Sequence, residues 1–335
     1  FFHADDGIRD PLWSRGLGDV YKRQYTPYSR KWLSHFSTDA ISDYPSQNHL
    51  NQLAKIDQPK LKLTDLGFEF SVIASPQYKF NKDIISSYEE TRNFPALDET
   101  TRIGTHLRFG TLSVRKMVRE SYKIKNPTFL KELIWREFFM QILWHFPHTM
   151  TRSFKPQYDR IEWRNNSAEF EKWCQGETGY PLVDAGMRQL WQTGYMHNRL
   201  RMIVGSFLVK NLLLHWHHGE SWFWDCLFDA DLANNSAGWQ WIAGCGADAA
   251  PYFRIFNPIT QGLKFDSNGD FVRRFIPELA NLPNSVLFTP WEASEEILHK
   301  CKVKLGETYP KPIVDLKVSR QRALEAFSSL KVQIT

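Results

Sequence analysis

The spacing of apolar and polar positions changes character near residue 77, and that change divides the chain. Residues 1–24 show no apolar period and mix glycine with paired charges. Residues 25–76 are polar, with Pro27, Pro45 and Pro59 among scattered Ser, Asn and Gln, which predicts an interdomain linker with one or two short helices, a segment that connects and does not catalyse. From Asp83 onward helical spacing dominates. The clearest run opens at Asn126 with Pro127 in the first turn, carries Phe129, Leu130, Leu133, Ile134, Phe138, Ile142 and Leu143, and stops before Pro147. Further helices are expected over Val183 to Gln192 (ending at Gly194), His197 to Trp216 (ending at Gly219), Glu220 to Phe228 and Ser319 to Leu330. Sustained alternation is rare and no internal repeat appears. The pattern predicts one large all-α domain over residues 77–330, followed by a tail at 331–335.

Composition narrows the class. A chain of 335 residues can bury one large core or two modest ones. Its longest apolar stretch, Phe207 to Leu214, is broken by Lys210 and Asn211, and mean hydropathy is -0.45, so no segment reads as a membrane span. The four cysteines, Cys174, Cys226, Cys245 and Cys301, are too scattered for a zinc knuckle or a disulfide framework, and a reducing cytoplasm is expected. A net charge of +5 has the sign, though not the size, of a nucleic-acid binder. Thirteen Trp, within 15% aromatic residues, invite stacking or electron transfer, with a Trp-rich core as the plainer alternative. Positions 19–24 resemble a translated transposon end, so residues 1–24 are expected to be a non-native junction.

Several motifs compete for a chemical reading. Gly244, Gly246 and Ala249 with Asp266 mimic a dinucleotide fingerprint, but Pro251 would break the required helix, so a Gly-lined turn is expected. His215, His217 and His218 beside Glu220, and His145 near His148, lack metal-site spacing, and no metal is expected. Glu132, Trp135 and Arg136 share one helix face, which suits either an exposed ionic stripe or a pocket for a flipped base. Asn198, Arg199, Arg201 and Met202, and then Asp229, Asp231 and Asn235, are dense polar groups within apolar surroundings. An Arg201 to Asp229 pair is plausible structure, and the same groups could bind a polar ring system. Thr100, Thr101, Arg102 and Gly104 suit a helix N-terminus able to meet phosphate.

The segments TGYPLVDAGMRQL (178–190), MHNRLRM (196–202), GWQW (238–241) and DAAPYFRIFNP (248–258) closely resemble the flavin domain of DNA photolyases, within the photolyase/cryptochrome family. The likeness is greatest to microbial class I enzymes that repair cyclobutane pyrimidine dimers. It implies a helical domain holding FAD in a bent conformation beneath a cavity for a flipped dimer. By resemblance, Tyr88, Thr100, Thr101, Arg102, Ile103 and Gly104 line the pyrophosphate side, while Asn198, Arg201, Asp229, Asp231 and Asn235 contact the flavin and ribityl, with Asn235 facing N5. Glu132, Trp135, Asn198, Met202 and Trp241 match lesion-pocket positions, Arg92, Arg136 and Arg199 match contacts to lesion or DNA backbone, and Trp163, Trp216 and Trp239 match the photoreduction chain.

Three departures accompany the likeness. The family's N-terminal α/β antenna domain is expected to be missing, which leaves the antenna chromophore unassigned. Gly104 stands where Ser is frequent, and Tyr195 stands where some members have Trp. The resemblance implies light-driven repair of UV-damaged DNA by reduced FAD in a cytoplasmic monomer. A cryptochrome-like blue-light sensor is the alternative.

Overall fold

The computed structural model describes residues 24–42, 45–55, 60–124 and 126–332. The expected junction lies outside these residues except for Gln24, as does 333–335 of the tail. The described residues form helices joined by short turns, and their one β-type contact is an isolated bridge between Leu305 and Tyr309. None of the described helices is long and apolar enough to cross a membrane.

The principal helices follow local chemistry closely. Helix α1 spans Tyr25–His35, α2 Gly104–Arg108, α3 Val114–Ile124 and α4 Pro127–His145. Asn126 caps α4 by accepting from the N–H groups of Thr128 and Phe129 at 3.0 Å each, and Pro127 fills a first-turn position that needs no donor. Helix α5 covers Ser167–Gln175, and α6 covers Pro181–Thr193, terminated by Gly194 at φ 62°. Helices α7 (Asn198–Ser206), α8 (Trp216–Cys226) and α9 (Leu232–Ala243) carry most of the polar groups singled out above, and α10 (Leu316–Val332) closes the chain. Gly244, at φ 90°, ends α9 in a turn, as expected for that glycine pair.

One expected helix breaks. Residues 197–216 form α7, then a π-helical turn over Phe207–Asn211, then a new start at Trp216 capped by His215. Leu213 takes a left-handed φ of 53° at the break. The freed carbonyls are captured from elsewhere: Asn211 by Arg322 at 2.6 Å, Leu212 by the Arg164 guanidinium at 3.1 Å and Leu213 by the Arg164 N–H at 2.8 Å. Tertiary donors replace the helical ladder there, which periodicity cannot reveal.

Two cores result. The larger gathers α5 to α9 with the segments after them, and the smaller joins α1, α3 and α4. The supposed linker therefore does more than connect, because Tyr25 is buried in the second core. Asp184, fully buried on α6, pins the larger core by accepting from the Thr178 N–H and hydroxyl, the Gly179 N–H and the Tyr309 hydroxyl at 2.6 to 3.0 Å. Asp184→Ala leaves these donors without a partner, at about 1–3 kcal/mol for each one unsatisfied. Chemical denaturation should register a large loss of midpoint, and Asp184→Asn should recover part of it.

Candidate active site

Two distant stretches of chain make one polar wall. A Cβ on Gly104 would come within 2.7 Å of Asp229 Oδ2, so the glycine reflects close approach rather than a lost hydroxyl. Arg108 Nε donates to the Ala230 carbonyl at 2.7 Å and ties the same strands of chain together. Upstream, Asp98 and Arg102 adopt left-handed φ of 47° and 52°, rare for residues with a side chain, and are joined by a 2.5 Å ion pair. Arg102 also stands over the Tyr195 ring, whose hydroxyl lies 3.1 Å from that of Thr100. Thr101 and Ile103 are buried beneath. Tyr88 lies under Arg92 and edge-on to Phe129.

Helix α7 supplies the adjoining face. Arg201 donates to both Asp229 oxygens, at 3.0 and 2.8 Å, and its Nε donates to the Met196 carbonyl at 2.9 Å. Asn198 and Met202, one turn apart, share a neighbouring stripe. Asp231 caps α9 through the Asn234 N–H at 3.0 Å, which fixes where that helix begins. Asn235 then donates to the Glu220 carbonyl and to Glu220 Oε1, at 2.9 and 3.0 Å, and its amide oxygen has no partner among the described residues. Glu220, grouped in the sequence only with nearby histidines, is thus the residue that orients Asn235.

The three expected electron-transfer indoles fall in one region without forming a continuous ring stack. Trp216 and Trp239 are buried. The edge of the Trp239 ring lies 2.1 Å from where a Gly219 Cβ would be, so only glycine admits that indole against α8, one turn from Trp216. Between Trp216 and Trp163 stands His215, with ring centroids 5.5 and 5.3 Å from each. His215 also caps α8 through the His217 N–H. Among the described residues no cluster of His, Cys, Asp and Glu could hold a metal ion.

On the expected lesion side, Glu132 is not surrounded by aromatic side chains alone: Arg92 pairs with it at 2.5 Å. Arg136 reaches toward the Leu107 carbonyl at 3.4 Å. Arg199 is committed too, donating to Asn93 Oδ1 and lying 4.3 Å over the Phe265 ring. Contacts from Arg92 and Arg199 to DNA would therefore have to share these internal partners. Trp135 is partly exposed on α4, and Trp241 lines a cleft with Phe139, Gln240 and Asp248, the Phe139 ring lying 5.2 Å from that of Trp135. These two indoles make no ring contact among the described residues.

Residues 129–329 match the family described as the FAD binding domain of DNA photolyase. The chain belongs to the DNA photolyase family. It is 49% identical to a deoxyribodipyrimidine photo-lyase of Agrobacterium fabrum, over 92% of this chain and 69% of that relative. A crystal structure of a bacterial class III photolyase from Agrobacterium tumefaciens aligns with TM-score 0.79 and 40% identity, covering 92% of this chain and 68% of that one. A cryptochrome from Synechocystis aligns with TM-score 0.68 and 35% identity, over 73% and 52% of the two chains.

The photolyase wall fits FAD on its own chemistry. A Cβ on Gly238 would meet nothing within 4 Å, so α9 opens onto free space one turn beyond Asn235. The left-handed pair at Asp98 and Arg102 is the kind of strained backbone found at ligand clamps. Asp229 and Asp231 are used by Arg201 and by a helix cap, which leaves them anchored acceptors for hydroxyl donors.

His197 caps α7 by accepting from the Arg199 N–H, and burial, then the charges of Arg199, Arg201 and Arg92, lower its pKa from 6.5 to about 4. Because the native state resists protonation, this stabilisation is complete above about pH 6.5 and is lost toward pH 4, at about 1.4 kcal/mol per pH unit. Urea unfolding across that window should show a steeper loss for wild type than for His197→Asn. Gly219→Ala should displace Trp239, costing about 1–3 kcal/mol by overpacking. Photoreduction of bound flavin should slow in parallel, whereas an unchanged rate would remove the Gly219 contact from the pathway.

Proposed function

We propose that the chain splits cyclobutane pyrimidine dimers in UV-damaged DNA, with the dimer flipped into the space beside α4, α7 and α9. The observation that carries this reading is the joining of the α7 face to the loop before α9 through Arg201 and Asp229, on elements that also carry Asn198, Met202 and Asn235. Reduced FAD, which Arg201, Asp229 and Asp231 would hold, would supply light-driven one-electron chemistry for opening the dimer.

The chain's own residues bind and orient. Thr100, Thr101, Arg102, Ile103 and Gly104 offer backbone and side-chain donors to the pyrophosphate, and Arg201, Asp229 and Asp231 hold the polar body of the cofactor. Asn235, aimed by Glu220, presents its amide oxygen to the isoalloxazine. Trp163, Trp216 and Trp239 pass electrons inward, with Trp163 outermost. Trp135 and Trp241 offer apolar faces to the flipped bases, worth about 1–3 kcal/mol per stacked base, against a flipping cost of a few kcal/mol that a dimer already reduces. Glu132, braced by Arg92, accepts or shares hydrogen bonds at the lesion rim, and Arg136 and Arg199 favour the phosphates. Tyr88 walls the Arg92 side.

Within the family, the class III crystal structure supports a class III placement over the class I likeness read in the sequence. The light-sensor reading shares the fold of the cryptochrome match, but it gives no use to a lesion pocket built from Glu132, Trp135 and Met202.

Lesion choice follows from α7. Repair of the (6-4) photoproduct requires proton transfer beside the lesion, and Asn198 and Met202 carry no group that titrates near neutral pH. Chemically reduced, FAD-loaded protein under blue light should restore dimer-containing oligonucleotides and leave (6-4) lesions intact. Inert dimers would overturn the assignment, and binding to a protein partner only when illuminated would favour the sensor.

A further inference from the structure

The indole of Trp135 has one flank already occupied. The Tyr25 ring of α1 lies parallel to it, with centroids 3.6 Å apart and planes 6° apart. Tyr25 is only 8% exposed, and it is tied at its far end. Its hydroxyl donates to the Lys131 carbonyl at 2.8 Å. Phe138 meets the same ring edge-on at 5.9 Å. Lys131, Trp135 and Phe138 are spaced i, i+4 and i+7, so Tyr25 runs along one ridge of α4. At about 100° per residue, Glu132 and Arg136 project from the other flank of Trp135. Tyr25 therefore stands behind the indole as seen from Glu132.

We propose that Tyr25 is a positioning residue of the lesion pocket, fixing the plane of Trp135 from behind so that a flipped dimer stacks on the flank that Glu132 shares. The inference rests on the role given to Trp135 above. An indole held flat before binding spares the ordering cost that a mobile one would incur when the base arrives. Burial, the hydroxyl tether to α4 and the edge contact with Phe138 mark Tyr25 as a fixed wall rather than a lid that must leave. A segment with the composition of a linker thus helps to build the site.

The test uses the full chain loaded with FAD and four variants: Tyr25→Ala, Tyr25→Leu, Tyr25→Phe and Trp135→Ala. Dissociation constants are measured for a duplex carrying one dimer and for the same intact duplex, with repair turnover at saturating DNA and flavin photoreduction alongside. Tyr25→Ala should weaken dimer binding about tenfold, or about 1.4 kcal/mol. Intact-duplex binding, turnover and photoreduction should hold. Tyr25→Leu keeps apolar bulk without a flat ring, so it should show the same selective loss in a chain that still folds. Tyr25→Phe should restore discrimination, and Tyr25→Ala should add nothing in a Trp135→Ala background. Unchanged discrimination in Tyr25→Ala and Tyr25→Leu, with Trp135→Ala losing it, overturns the inference alone. Tighter dimer binding in Tyr25→Ala also overturns it, because Tyr25 would then occupy the place of the substrate. Unchanged discrimination in Trp135→Ala overturns the role of Trp135 and this inference with it.

Discussion

The Arg201–Asp229 ion pair is the constraint on which the site turns. Both partners are partly buried, with side chains 26% and 17% exposed, so breaking the pair would leave a desolvated charge alone. Arg201 also holds the Met196 carbonyl at the entry to α7, and the Asp229 loop is pressed against Gly104. One guanidinium thereby fixes three stretches of chain, 100–104, 196–202 and 229–235, that are far apart in sequence. The polar wall proposed for the flavin exists only where all three meet.

Close packing sets a second constraint, around the indoles. Trp239 occupies the space a Gly219 side chain would need, and it is bordered by Phe223 at 4.9 Å and Trp173 at 6.1 Å. The end of α9 beyond it is held by Lys210, which is fully buried, donates to the Ala243 carbonyl at 2.8 Å and lies 3.4 Å from the centre of the Phe327 ring. Burial lowers the pKa of this lysine to about 7. A helix that carries Asn235, Trp239 and Trp241 is thus capped at one end by Asp231 and gripped at the other by a side chain from the π-helical turn. Rigid placement at both ends suits groups whose spacing would govern the proposed electron transfer.

Much of the helical architecture was legible along the chain because its causes are local. Asn126 and Pro127 start α4, Pro181 starts α6, and Gly194 and Gly244 stop helices with the left-handed backbone that glycine adopts at little cost. The Arg201 to Asp229 pairing was also readable, since a cation and a carboxylate set within apolar runs must find one another. The resemblance to photolyase flavin domains supplied the remaining roles as proposals, residue by residue.

Tertiary structure decided the rest, and in each case the deciding atom came from far away in sequence. The 197–216 run is apolar and helical in period, yet it breaks because Arg164 and Arg322 bond the freed carbonyls. Glu220 looked like a member of a histidine cluster until folding placed it under Asn235. His215 entered between Trp163 and Trp216, and Tyr25 came to rest on Trp135 across 110 positions of chain. Periodicity, caps and glycines report what a residue does to its neighbours within a turn or two. They are silent on which distant donor or ring completes a contact, because that depends on how the helices pack.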